Sequence, residues 1–230
     1  MSVSIFLVPA PELASNQPSD AEIAATATAI TAAVTTDLAP AYGQGWGGHY
    51  QVAALGRGAP VPASSPHVWL CRLQASISVP NALGYHTRDA LGNPVLYVDV
   101  VGAASHERPW SLVASHEIFE AIGNRWVDGG VLADYGGGQG FYYQELCDTV
   151  EGQPAYNYHH NGVEYAMANF VTANYWVPGG PYDHLGYVHT PLTPAPGGSQ
   201  AVFPVSTSVS IGGDGNESVP TIAHPGVLIP

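Results

Sequence analysis

The chain of 230 residues contains no lysine, and its five basic residues are the scattered arginines Arg57, Arg72, Arg88, Arg108 and Arg125. A handful of dispersed cations cannot line a phosphate track, which excludes a nucleic-acid binder and a protein that adheres to anionic membranes. Charged residues of all kinds make up only 10% of the sequence, against about 25% in an average domain. With hydrophobic residues at 46%, the poverty in charge reads as a packed interior and not as disorder. No apolar run approaches the length of about 18 residues needed to cross a bilayer, so membrane insertion is not expected. Two cysteines, Cys71 and Cys147, allow one disulfide at most and leave both their pairing and the redox compartment open. The start of the chain, from Met1 to Pro9, has no basic leader and reads as a first strand instead of a signal peptide.

What charge there is lies on one side. Eighteen acids against five bases give −13 at pH 7, a balance that repels anions and tolerates metal ions and basic or neutral peptides. Val3–Val8 predicts a buried strand. Ser19-Asp-Ala-Glu22 has the form of a capping box, and Ile23, Ala27, Ile30, Val34 and Leu38 follow at helical spacing, with Pro40 expected to stop the helix. The glycine-rich stretch 42–48 lacks the pattern of a phosphate loop. Strands are expected at His49–Leu55 and His67–Leu73. A hairpin-like edge is expected from Gly84–Arg88 and Val95–Val101 around the turn Leu91-Gly-Asn-Pro94. Pro109 opens a second helix, Trp110–Ile122, that Gly123-Asn124 closes. Beyond Gly129 the sequence is rich in Gly, Pro, Tyr and Asn. The segment Gly162–Phe170 suits either a helix or a strand, and Ala201–Ser210 has strand character.

The chemistry concentrates in Ser115-His-Glu-Ile-Phe-Glu-Ala-Ile-Gly123. On a helix, His116 and Glu120 at i and i+4 project from one face about 5–6 Å apart at Cβ, close enough to share one metal ion. This is the HExxH arrangement with glutamate in place of the second histidine. Glu117 stands where the general base of such enzymes stands. The surrounding apolar residues bury the helix, and burying a histidine with two glutamates is costly unless a cation or hydrogen bonds compensate. The simpler alternative is an i,i+4 pair on a helix surface. Downstream, Tyr143-Gln-Glu-Leu-Cys-Asp148 places Glu145 as a third ligand and Asp148 as a fourth ligand or as a partner fixing the His116 tautomer, following the logic of gluzincins. Asp128 and Asp134 are rival third ligands. The position of a third histidine, as in HExxHxxGxxH, holds Trp126. Cys147 lacks an identifiable base, and His159-His160 lies in a polar stretch. Tyr182 and His184, in Gly180-Pro-Tyr-Asp-His-Leu-Gly186, are candidates for hydrogen-bonding a developing oxyanion. The alternative there is a tight turn in which Asp183 caps its own backbone.

The strings SHEIFEAIGN at 115–124, ELCD at 145–148 and GPYDHLG at 180–186, followed by PLTPAPGG, resemble a set of bacterial and phage-associated zincin-like proteins that carry an HExxE motif. The resemblance spans roughly 95–198. It implies a zincin-like α+β domain over residues 1–198, a mixed sheet packed on the two helices, and a metal-dependent hydrolase of peptide bonds with Glu117 as base. The expected ion is Zn²⁺, although three oxygen donors and one nitrogen leave Ca²⁺ and Mn²⁺ open. The expected partner is a peptide or protein laid along the Val95–Val101 edge. The competing reading is an inactive, zincin-derived module that self-assembles. It rests on the missing second histidine and on the Pro/Ser/Thr-rich extension 199–230, which would act as an arm for homo-oligomers. Compartment is not fixed; the surface composition suits an extracellular or particle-associated protein.

Overall fold

The computed structural model describes residues 2–14, 17–42, 49–125, 128–134, 139–177 and 179–204. Its centre is a five-stranded mixed sheet with strand order β2-β1-β3-β5-β4, formed by β1 (Ser2–Pro9), β2 (His49–Ala54), β3 (Val68–Gln74), β4 (Gly84–Arg88) and β5 (Pro94–Asp99). The first three of these neighbouring pairs are parallel, and β4 runs antiparallel to β5 at the sheet's border. The fold is therefore α+β with a mixed sheet. The hairpin at 84–101 forms as expected, with a correction: β5 lies between β3 and β4, so β4 and not Val95–Val101 is the edge. Val100 and Val101 also leave the strand and begin α3 (Val100–Ser105), capped by the Asp99 carboxylate accepting from Gly102 N at 2.6 Å.

Alternation along the strands decides what faces the helices. The paired positions Leu7, Cys71 and Leu96 form one row across the sheet, all buried, and the next residue in that row on β4 is His86. The neighbouring row Leu73–Val98 ends at Gly84. Thus the same pleat that buries the core aims a histidine and a glycine at the helix α4 (Trp110–Gly123).

Helix α1 (Asp20–Ala33) begins at the capping box. Ser19 Oγ accepts from Glu22 N at 3.2 Å, and Glu22 Oε2 accepts from Ser19 N at 2.7 Å. Pro40 does not stop this helix. The chain widens into a π turn at Val34–Leu38 and runs on through the short α2 (Ala39–Ala41), where proline sits at the start of a turn and its missing N–H costs nothing. Helix α4 is buried almost all round. Ile118, Phe119 and Ala121 are fully enclosed between the sheet and the later hairpin formed by β8 (Tyr156–His160) and β9 (Val163–Met167). The ambiguous 162–170 segment is thus a strand at its centre.

After α4 the chain makes only short elements. Strands β6 (Gly130–Asp134), β7 (Gln139–Tyr143) and β10 (Val202–Pro204) form a small antiparallel sheet. Residues 195–201 also tie down the segment after β7. Ala195 N donates to Thr149 O, Ser199 N to Asp148 O and Tyr143 N to Ala201 O. The start of the expected extension, 199–204, therefore packs on the body of the protein, and residues 205–230 lie outside the described ones. The expected glycine-rich loop at 43–48 and Trp126 also lie outside them. Both cysteines are buried and free, which answers the pairing question. No helix among the described residues is long and apolar enough to cross a membrane.

Candidate metal centre

The centre forms where α4 passes beneath β4 and the segment after β7 folds back over the helix. Three features fix that segment. Leu146 packs against Gly123 at the end of α4, where any Cβ would collide with it. Leu146 O accepts from Val171 N at 2.8 Å. Asn124, which caps α4, accepts from Gly129 N at 2.8 Å and donates from Nδ2 to Glu145 Oε1 at 3.3 Å. The helix end therefore orients Glu145 directly.

Five residues picked out in the sequence come together here. His116 Nε2 is 3.2 Å from Glu120 Oε1 and 3.2 Å from Asp148 Oδ1. Glu120 Oε1 also accepts from Cys147 N at 3.3 Å and Asp148 N at 3.2 Å. Glu117 and Glu145 approach from the other side, and the residue that joins them is His86. Its Nδ1 is 3.4 Å from Glu117 Oε2 and 3.6 Å from Glu120 Oε2, and its Nε2 is 3.7 Å from Glu145 Oε2. Sequence reasoning missed His86 because it belongs to no motif. The available signal was the alternation of Gly84, His86 and Arg88 on a strand whose paired neighbours are core residues.

The donor atoms fall into two groups. His116, Glu120 and Cys147 each offer one ligand atom within 4.8 Å of the others, and so do His86, Glu120 and Glu145. The side chains of His86, Glu117 and Glu120 are only 5–7% exposed, whereas those of His116, Glu145 and Asp148 are 16%, 18% and 33% exposed, so access to solvent is from their side.

Four carboxylates in so little solvent, with the burial itself, shift the ionisation of several groups. Burial alone would lower the His86 pKa, but the charges of Glu145, Glu117 and Glu120 outweigh it and lift it to about 9. His116 is likewise raised well above its usual range, with Glu120 and Asp148 overcoming burial. Burial pushes Glu120 up to about 8, despite the pull of His116. Glu145 rises for the same reason, moderated by His86. Asp148 is lowered, because its bond to His116 prevails over burial. Burial, reinforced by the surrounding acids against the pull of His116, also pushes the Cys147 thiol far up, so in the metal-free chain it is no nucleophile.

The residues fit a divalent cation. Among the described residues, His86 Nε2 and Glu145 Oε2 are both buried without a hydrogen-bond partner, facing each other at a separation too long for a hydrogen bond. Imidazole nitrogen with carboxylate oxygen is a donor set for Zn²⁺, Mn²⁺ and related ions.

The other candidates make their contacts in other parts of the fold. The His184 ring stacks on Phe170 with centroids 4.9 Å apart and meets Tyr156 edge-on at 4.5 Å, while Tyr182 O accepts from Thr172 N. Among the described residues neither is hydrogen-bonded or ion-paired to the histidine–carboxylate cluster. Asp183 is fully buried and accepts from Val188 N and Asn169 Nδ2, both at 2.8 Å, so the GPYDHLG segment is a turn organised around its aspartate. Asp128 Oδ2 lies 3.5 Å from Arg88 Nη1, and exposed His159 pairs with Glu164 at 3.3 Å. The Asp134 side chain is outside the described ones. Comparison with protein families, curated proteins and solved structures gives no match for this chain.

Proposed function

We propose that the chain is a metal-dependent hydrolase of peptide bonds, on a zincin-like scaffold in which an antiparallel edge strand lies over an HExxE helix. The observation that carries this reading is the convergence of His116, Glu117, Glu120, Glu145 and Asp148 in one cluster between α4, β4 and the segment after β7. His116, Glu120 and Glu145 would hold the ion, with Asp148 completing the set or orienting His116. Zn²⁺ is the favoured ion, with Mn²⁺ and Ca²⁺ as the other candidates. When bound, the ion supplies Lewis acidity and makes water a nucleophile near neutral pH. Glu117 takes the proton of the attacking water, since it is the carboxylate next to His116 in the chain and projects into the cluster. Among the described residues β4 pairs with β5 alone, so its outer edge offers backbone N–H and C=O groups to an extended peptide, as in strand addition. No step is assigned to Tyr182 or His184.

Glu117→Gln preserves shape and removes the base. Peptide turnover should fall by about 10²–10⁴-fold while the metal stays bound. Full turnover in that variant overturns the mechanism. The near-complete burial of Glu117 and Glu120 favours one second reading, a closed metal-bearing module without catalysis. Protein carrying its full complement of metal, yet leaving a diverse peptide library uncut, would support that reading.

A further inference from the structure

We propose that the centre holds two divalent ions, with Glu120 bridging them. The proposal rests on the metal-binding reading above and changes its arithmetic. The two oxygens of Glu120 look into different nests. Oε1 faces His116 at 3.2 Å and accepts from the backbone N–H groups of Cys147 and Asp148, while Oε2 faces His86 at 3.6 Å, whose ring nitrogens also face Glu117 at 3.4 Å and Glu145 at 3.7 Å. Each nest has its own imidazole, and each forms a three-residue group with donor atoms within 4.8 Å, sharing only Glu120. The second nest also contains the two unpartnered buried atoms, His86 Nε2 and Glu145 Oε2. Glu145 therefore moves from the first ion to the second.

Charge points the same way. The ion pairs of Glu117, Glu120, Glu145 and Asp148 among the described residues are with histidines alone. With every carboxylate ionised and both imidazoles neutral, as ligation of metal in both nests requires, the four acids carry −4, which two divalent ions balance. Carboxylate-bridged pairs of ions about 3.5–4 Å apart are an established design for hydrolysis. Glu117, 3.4 Å from the second imidazole, remains beside the centre as its base.

The test is stoichiometry, read without any activity assay. Protein stripped by chelator is titrated with Zn²⁺ and, separately, with Co²⁺ by calorimetry, and retained metal is counted by elemental analysis after gel filtration. The expected result is two equivalents for the parent and one for His86→Ala. Glu145→Gln, nearly isosteric, should also retain one, and it keeps the test alive should His86→Ala fail to fold, as judged by near-ultraviolet circular dichroism. A parent that binds one equivalent, unchanged by Glu145→Gln, overturns the bridged pair and leaves the single-ion reading standing. A folded parent that binds none overturns both. Loss of all metal from either folded variant overturns the division into two nests.

Discussion

Gly84 sits directly against α4, and its replacement by alanine tests whether that close approach sets the geometry of the centre. A Cβ at this position would lie 2.6 Å from Glu117 Oε1, 2.8 Å from Val113 Cγ1 and 2.9 Å from Glu117 Cγ, against about 3.5–4.0 Å for an ordinary carbon contact. Relief requires β4 to retreat by roughly 1 Å or Glu117 to rotate out of the cluster. Overpacking of this kind costs about 1–3 kcal/mol, and the lower backbone entropy of alanine in a strand offsets about 0.5–1 kcal/mol of it. A net loss of about 1 kcal/mol, the middle of that range, lowers the melting temperature of a chain this long by roughly 2–4 °C. His86 lies two residues along the same strand face, so the same retreat should weaken metal binding by about 10–100-fold, the usual effect of disturbing a ligand's supports. The assays are differential scanning calorimetry of the metal-free protein and metal titration. Two of the three offending atoms belong to Glu117, so in a Glu117→Ala background the cost of Gly84→Ala should shrink. Unchanged melting and unchanged metal affinity in Gly84→Ala, or an undiminished cost in the double variant, would refute the reasoning.

The metal-free protein should lose stability as pH rises from about 5 to 9. His86 and Glu120 both bind protons more tightly when folded, so their contribution is fully present below the unfolded values and disappears as pH passes about 8 to 9. Saturating Zn²⁺ should abolish that slope by displacing the protons, and a melting temperature in chelator that rises over this window would contradict it. Ser115→Ala should cost about 1–3 kcal/mol in a denaturant titration, because Ser115 Oγ accepts from the buried Ala168 N at 2.9 Å while donating to Leu112 O at 2.9 Å. Ser19→Ala should cost about 1 kcal/mol in the same titration through loss of the α1 cap, with metal stoichiometry unchanged.

Much of the centre is legible in the sequence where the determinants are local. The capping box at Ser19, the i,i+4 pair His116/Glu120 and the hairpin around Gly92-Asn93-Pro94 are each written within a few residues, and spacing alone identifies them. His86 is different. It becomes part of the cluster only because β4 joins β5 in a register that continues the Cys71–Leu96 row, a tertiary fact about strand order. The same order makes β4 the edge, which the hairpin by itself could not decide between its two strands. Pro40 shows a local rule giving way to geometry: after the π turn the proline falls in the first turn of α2, the helical position where a missing N–H is tolerated. The turn around Asp183 is legible in Gly180-Pro-Tyr-Asp-His, but the packing of the His184 ring on Phe170 and Tyr156 is not, because those partners come from distant segments.

The most direct measurement of the central claim is diffraction from crystals grown with Zn²⁺, using anomalous scattering at the zinc edge. The account predicts strong anomalous density between α4, β4 and the 145–148 segment, with His116 nitrogen and Glu120 oxygen about 2.0–2.2 Å from the metal and Glu117 alongside but unliganded. A map with no anomalous density there, and the carboxylates and histidines bonded only to one another, would contradict it.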